Sequence, residues 1–316
     1  MASAANLTGA LLINKPAGLT SHDIVNQVRH LLPHQRPALK VGHTGTLDPF
    51  ATGLLIVAIG PATRLIQYTH ALAKTYEVKA ILGASSTTDD ATGTISPLPS
   101  APNISQNDID KILPSFIGKI TQVPPAYSAI KVNGQPLYRL AHKGRLAEAQ
   151  ALAGERGRQV DIYDIQIKKF LYPELDLVIK CGTGTYIRSL VRDIAQALGT
   201  LAYAHSLCRV NIGGFHINDP HVIHKLSTGF LHTEYLLSAD KLVSHLPSIL
   251  LNKANVAQFQ QGRALLIPSK LSTSYQHYAV FYPQDKILGI GEYSPTTGLL
   301  NPKVVFPVPD LPNLEI

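Results

Sequence analysis

The stretch Gly42–Gly53 reads GHTGTLDPFATG, and the rest of the chain is organised around it. Three glycines (Gly42, Gly45, Gly53) and Pro49 surround one acid, Asp48, between two apolar runs, Leu39–Val41 and Leu54–Ile59. Those flanks are short and closely bounded by turn residues, so they read as strands. Glycine serves where the backbone enters regions closed to other residues or where another group comes close, so the connection is expected to be tight. Pro49 steers Asp48 out of the helical region into an extended conformation, which fixes the angle at which the carboxylate leaves the loop. Taken alone, an Asp-Pro in such a turn is as well explained by a solvated carboxylate as by a functional one. The neighbouring segments decide between them.

Working outward, Ala10–Asn14 is an apolar strand that runs into Lys15-Pro16, and Ser21 is placed to cap a helix with Ile24, Val25, Val28 and Leu31 on one face, ended by Pro33. Ala62–Thr69 is expected to be helical and carries Arg64. In Thr75–Leu82 the alternation places Tyr76, Val78, Ala80 and Leu82 on one side of a strand, where Tyr76 reads first as a core aromatic. Ser85–Thr94, with Asp89 and Asp90, is read as a structural acidic loop. A short helix capped by Asn107 is expected within Asn103–Ile120, and Asn133-Gly134 is the strongest hairpin signal in the chain. Around that turn Lys131, Tyr138, Arg139, His142 and Lys143 mix cations with flat rings, the combination that phosphates and unstacked bases require. Leu146–Arg158 reads as a surface excursion, followed by two strands, Val160–Phe170 and Glu174–Cys181, joined around Tyr172-Pro173.

The segment Cys181–Gly199, CGTGTYIRSLVRDIAQALG, opens a helix from a Gly-Thr-Gly turn and buries Ile187, Leu190, Val191, Ile194 and Leu198. Arg188 falls off that face in the first turn, free to meet an acid, although an ordinary surface arginine has the same pattern. Ser206–Phe215 is another apolar run, and Pro247–Lys253 marks a boundary. Beyond it lie short apolar segments (Ala264–Ile267, Tyr278–Tyr282, Ile287–Ile290, Lys303–Phe306) separated by Gly, Pro and Ser, which imply a small all-β module.

The chain has 316 residues, enough for a sizeable core and more than one domain. Lys and Arg outnumber Asp and Glu by 28 to 21, a net charge of +7 that favours a polyanionic partner. From Leu251 onward there are five basic and four acidic residues, so the excess lies in the first 250. No apolar run reaches the roughly 18 to 20 residues that cross a bilayer, and Met1–Ala10 lacks the charge and apolar stretch of a signal peptide. Two cysteines, Cys181 and Cys208, without further ligands at short spacing, fit a reducing compartment and no metal site. The expectation is a cytoplasmic protein.

The twelve residues Gly42–Gly53 resemble the catalytic signature of the TruB family, the synthases that isomerise the uridine at position 55 of the tRNA T-arm to pseudouridine. The resemblance implies that Asp48 is the essential catalytic residue and that His43 enters the T-loop in place of the extruded base. By the same likeness Tyr76 stacks on the target base, Tyr186 contacts the uridine, Arg188 pairs with Asp48, and Leu207 packs against the base. Lys15-Pro16 is similar to a lysine-proline motif of the family, which implies that Lys15 lies near RNA phosphate or supports the catalytic loop, and Arg64 falls where the family often carries a basic residue and is implied as an RNA contact. Where the family commonly reads Cys-Ser-Lys-Gly-Thr-Tyr this chain has Cys-Gly-Thr-Gly-Thr-Tyr, which removes one possible RNA contact and leaves the catalytic pairing.

The likeness runs in ordered blocks from Leu11 to Phe215, with weaker support after residue 250. It implies an α/β fold of the α+β kind: a catalytic domain over residues 1–250 around a central mixed, largely antiparallel sheet, with a thumb-like RNA-binding element at about 124–158. A small β-rich, PUA-like RNA-binding domain is expected over 251–316. The implied partner is tRNA, bound by its T-arm stem-loop, with no membrane, no obligatory protein partner and a monomeric state. No cofactor is required, because the isomerisation involves no net oxidation, hydrolysis or energy input. Two other functions compete with this one. An N-glycoside hydrolase also works at an anomeric carbon but normally needs two carboxylates in separate roles, and a non-catalytic tRNA-folding chaperone needs none.

Overall fold

The computed structural model describes residues 7–33, 38–100, 102–128, 130–132, 134–226, 231–267, 271, 275–282 and 286–306. The Asn133 half of the expected turn and the His142 side chain lie outside the described residues.

The larger sheet has ten strands: β1 (Gly9–Lys15), β2 (Val41–His43), β3 (Thr52–Ile59), β4 (Lys74–Leu82), β5 (Gly118–Gln122), β6 (Arg158–Leu171), β7 (Glu174–Cys181), β8 (Ala202–Ile212), β9 (Phe215–His216) and β10 (Val222–Ile223). Their order is β10-β1-β3-β8-β4-β7-β6-β5, with β2 paired to β3 and β9 to β8. All contacts are antiparallel except β10 with β1 and β3 with β8. The solved structures compared below share this α/β architecture with its mixed sheet.

The β3–β8 contact divides the sheet into halves with different cover. On one side of β1 and β3, Leu11, Ile13, Leu55, Val57 and Ile59 pack under α1 (Ser21–Leu31), whose buried face is Ile24, Val25, Val28 and Leu31. On the other side Ala10, Leu12, Leu54, Ile56 and Ala58 meet Ala279, Ile290, Val304 and Phe306 of the second sheet. Both faces being covered explains why β3 reads as a continuous apolar run and not an alternating one. In the other half, Val78, Ala80, Leu177 and Ile179 pack under α2 (Ile187–Ala197), while Lys79 and Lys168 on the opposite face pair with Glu174 and Glu77. The alternation in β4 therefore marks a sheet with one dry and one wet face.

The second sheet comprises β11 (Ser248–Leu250), β12 (Leu265–Leu266), β13 (His277–Tyr282), β14 (Lys286–Ser294) and β15 (Leu299–Val305) in the order β11-β13-β14-β15-β12. The segment is not all β, as its sequence implies, because Asn252 caps a helix, Lys253–Gln260, that buries Val256 and Phe259.

Several local boundaries differ from the sequence reading. Thr20, not Ser21, caps α1, through a capping box with Asp23. Ser105, not Asn107, caps the helix Gln106–Ile112 by the same device with Asp108. At Thr20 an acid three residues on selects the cap over Ser21, whereas Asn107 has Asp110 at the same spacing and the acid alone does not decide against it. Ala62–Thr69 is a 3-10 turn, Gly60–Leu65, followed by one α turn, Ile66–Thr69. Leu146–Arg158 is no loose excursion. Its helix Leu146–Gly154 buries Ala149 and Ala153 against Leu137, Leu140 and Ala141 of the preceding helix, Leu137–His142.

Candidate active site

The glycine-rich loop crosses the seam between the two halves of the sheet. There β8 runs parallel to β3 with Arg209 opposite Gly53, whose φ is +105°. A Cβ at Gly53 would lie 2.4 Å from the carbonyl oxygen of Arg209, so no side chain fits at this crossing.

Buried donors fasten the loop from below. The Arg209 side chain is 1% exposed and gives Nε to Leu54 O at 2.8 Å, Nη2 to Gly45 O at 3.1 Å and Nη1 to Thr46 O at 3.4 Å. Lys15 is fully buried and donates Nζ to Leu19 O at 2.7 Å, Pro16 O at 2.9 Å and Pro49 O at 3.3 Å. Burial brings the Lys15 ammonium down to about 8, with Asp48 acting in the opposite direction. Ser21, freed from capping, accepts from Leu47 N at 2.8 Å and donates to Leu47 O at 3.2 Å. The loop backbone therefore has its polar groups paired from three elements, as buried backbone requires.

Asp48 stands at the top of this support, 31% exposed, and accepts from Arg188 Nε at 2.9 Å. Arg188 is 3% exposed, so its place in the first turn of α2 is an inward one and not the free position the helical pattern implies. Its remaining donors go to Thr88 O at 2.7 Å and Tyr127 O at 3.1 Å, and Asp90 Oδ2 lies 3.3 Å from Nη1. Asp90 is itself buried and accepts from Thr88 Oγ1 at 2.7 Å and Thr92 N at 2.9 Å. One guanidinium thus serves two carboxylates, of which Asp90 is sealed and Asp48 faces outward. Each charge in the group has an opposite charge beside it, which is what keeps a buried cation tolerable.

Asp48, Arg188, Tyr76, Tyr186 and Leu207 line one cleft of about 1050 Å³. Tyr76 lies opposite Arg209 on β8 and Ile179 on β7, and burial pushes its phenol up from the ordinary value, with Arg209 opposing. Tyr186 is the cap residue of α2. Its backbone is clamped by buried Gln122, which accepts from Tyr186 N at 2.7 Å and donates to Tyr186 O at 3.0 Å.

Three residues singled out in the sequence stand apart from these walls. Lys15 is beneath the loop. His43, on β2, is half-buried with Nδ1 unpaired, and burial lowers its ring below the usual value. Arg64 lies at the junction of the two sheets, where Nη1 donates to Val305 O at 2.8 Å.

The sequence reading passes over Arg209, Gln122, Lys74 and Arg158 as site residues and takes Asp90 as structural, although all but Gln122 line the cleft. One signal was available. Arg209 has the same strand parity as buried Leu207, and a charge on the inward phase of an apolar strand is unusual enough to mark a site. Among the described residues no group of three His, Cys, Asp or Glu side chains could hold a metal ion. Among them, too, no helix is long and apolar enough to cross a membrane. Cys181 and Cys208 are unpaired, and burial raises the Cys181 thiol to about 11.

The family model described as TruB family pseudouridylate synthase (N terminal domain) matches residues 29–187. The chain is similar to tRNA pseudouridine synthase B of Acaryochloris marina, 40% identical over 309 residues, covering 95% of this chain and 99% of that protein. It is also similar to tRNA pseudouridine synthase B of Coxiella burnetii (strain RSA 493), 34% identical over 290 residues and covering 90% of each chain. Among solved structures, an H/ACA RNP bound to a substrate RNA containing 2'-deoxyuridine includes a chain matching with a TM-score of 0.69 at 22% identity, covering 95% of this chain and 85% of that one. An archaeal box H/ACA sRNP Nop10–Cbf5 complex matches with a TM-score of 0.69 at 23% identity, covering 94% of this chain and 85% of that one. These two establish the fold.

Proposed function

Since the chain belongs to the TruB family of pseudouridylate synthases and is an isomerase that forms pseudouridine in tRNA, we propose that it acts on the uridine at position 55 of the T-arm, with Asp48 as its essential carboxylate. The observation that carries this reading is the pairing of Asp48 with Arg188 at 2.9 Å across 140 residues of chain, in a cleft also walled by Tyr76 and Tyr186.

The reaction breaks an N-glycosidic bond, turns the uracil and rejoins it through carbon. A single ionised carboxylate serves either as nucleophile or as stabiliser of positive charge on the sugar. Arg188 holds Asp48 at a fixed angle through the Nε–Oδ2 bond. Asp90 does not act as a second catalytic acid in this reading, because it is sealed behind Thr88 and Thr92 and spends its oxygens on them and on Arg188. That arrangement favours an isomerase over a glycoside hydrolase, which needs two accessible carboxyl groups.

The target base must leave the T-loop stack, at a cost of a few kcal/mol. Tyr76 and Leu207 then hold the uracil between them, Tyr186 positions it, and His43 takes the vacated place in the RNA. Residues 1–250 are the catalytic domain and 251–316 a PUA-like module that binds RNA, with the strand Ser248–Leu250 crossing into the sheet of that module; Arg64 is a nearby cation, while Lys15 supports the loop from beneath. The thumb-like element at 124–158 grips the T-arm from above. The enzyme works in the cytoplasm as a monomer without a cofactor or an obligatory protein partner.

Unmodified tRNA incubated with the protein and mapped for pseudouridine by carbodiimide-blocked primer extension tests the assignment. A single new stop one nucleotide 3′ of position 55 is expected, because the blocked base itself is not copied. A stop elsewhere overturns the position, and bound tRNA without any stop favours a chaperone.

A further inference from the structure

Beside the catalytic pair the same cleft carries cations that the two carboxylates do not balance. Lys74, Arg158, Arg188 and Arg209 line it, against Asp48 and Asp90. Four cations less two acids leave an excess of two. Arg188 is committed to both acids, and Arg209 to two backbone carbonyls of the loop and one of β3. Lys74 is nearly buried and donates to His70 O at 2.9 Å.

Arg158 is different. It opens β6, its guanidinium carbon lies 4.9 Å from the centre of the Tyr186 ring, and Nη2 donates to Gly184 O. Its Nε is buried without a partner, and among the described residues no carboxylate lies within ion-pair distance of it. The turn it touches, Gly182–Thr185, has no basic residue of its own. Ser128, another lining residue, is 3% exposed with its Oγ also unpaired. Buried polar atoms are normally satisfied, so two orphans lining one cleft, one on an arginine without a counter-ion, point to an absent polar anion.

We propose that Arg158 is a substrate-binding residue that takes the backbone phosphate next to the extruded uridine, while its stacking on Tyr186 holds that ring against the base. This rests on the reading of the cleft as a site for flipped-out RNA. An arginine suits the task because its planar fork bonds a phosphate and stacks on a ring at the same time. The anion supplies the charge that the wall lacks, and Ser128, on the thumb side, completes the pocket once RNA is bound.

The test is a binding cycle, read with the Asp48→Asn substitution in every protein so that turnover does not enter. A T-arm stem-loop RNA is compared with RNAs carrying one neutral methylphosphonate at each linkage flanking the uridine in turn. Arg158→Gln is expected to weaken binding of the unmodified RNA about 10-fold and to flatten its salt dependence by about 0.7 in log–log slope, the signature of one lost single-strand phosphate contact. One methylphosphonate should cost the protein that retains Arg158 the same factor and cost Arg158→Gln nothing further. Arg158→Lys keeps the charge and should keep both the salt slope and the sensitivity to that linkage. If every linkage costs the Arg158→Gln protein as much as the one that retains the arginine, with an unchanged salt slope, Arg158 only braces the turn and the proposal fails. It fails equally if Arg158→Lys is indifferent to all linkages. Pseudouridine formation by the unsubstituted protein on the same RNA reads the isomerase assignment separately.

Discussion

The floor of the cleft and the thumb above it are built on opposite principles. The Gly42–Gly53 loop is held by buried charged groups, Lys15, Arg209 and Arg188, whose donors end on its backbone carbonyls and on Asp48. The thumb has a small core of its own, Ala126, Val132, Leu137, Leu140, Ala141, Ala149 and Ala153, rich in alanine and separate from the main clusters. The body reaches it through donors from α2: Arg188 Nη2 to Tyr127 O and Arg192 Nη2 to Val123 O, at 3.1 and 3.0 Å. A floor whose polar groups have no freedom fixes the acid before substrate arrives. A thumb with little apolar area of its own opens at low cost, as binding elements commonly do. The difference teaches that chemistry and grip are separable in this molecule, and each substitution below is a way to break that separation or to sharpen it.

The largest effect is expected at Arg188, the residue common to both regions. Arg188→Met should lower kcat by at least about 100-fold through misplacement of Asp48. It should also destabilise the fold by roughly 3 to 5 kcal/mol by stranding buried Asp90. Adding Asp90→Asn should return part of the stability and none of the turnover, as read by urea midpoints beside initial rates. Turnover within tenfold of the unsubstituted protein would mean that the floor need not be held.

Arg209→Met comes next. It leaves two loop carbonyls and that of Leu54 in β3 without their donor and should cost roughly 3 kcal/mol, seen as a lower urea midpoint at unchanged m-value. Leu137→Ala opens a cavity in the thumb worth about 2 to 3 kcal/mol locally. It should raise KM severalfold, leave kcat within about twofold and leave the global urea midpoint where it was. A midpoint that falls as far as in Arg209→Met would show thumb and floor to be one cooperative unit.

The smallest effect is a pH slope. The His43 ring is held below its ordinary value by burial, so the folded state resists a proton that the unfolded chain accepts. The resulting stability is fully present above the unfolded value of about 6.5 and is lost as pH falls below it. His43→Gln should therefore lose less Tm than the unsubstituted protein between pH 7.5 and 5.5.

Much of this arrangement was legible before any coordinates. The tight loop follows from its glycines and Pro49, and the α2 face from helical spacing. Strand parity in β4 places Tyr76 on the covered side. Arg209 and Lys15 were harder to read, because an isolated cation in a sequence looks solvated. Only the parallel crossing of β8 over β3, a contact between residues 155 apart, brings Arg209 Nε to Leu54 O. Asp90 looked like part of a structural loop for a similar reason: its tie to Arg188 joins the turn between the paired strands Ala84–Ser86 and Ile95–Pro97 to the first turn of α2, far away in the chain. The caps at Thr20 and Ser105 were within reach, since each has its acid three residues on. Ser21 has no such acid, whereas Asn107 has Asp110 at the same spacing and reads as a cap equally well.

The account depends most on one carboxylate doing the chemistry. The direct measurement is single-turnover release of tritium from carbon 5 of the target uridine in T-arm RNA, with Asp48→Asn protein in excess over the RNA. The account predicts release indistinguishable from background, with the RNA still bound to within a few-fold of the unsubstituted protein. Release within tenfold of the unsubstituted rate would contradict it.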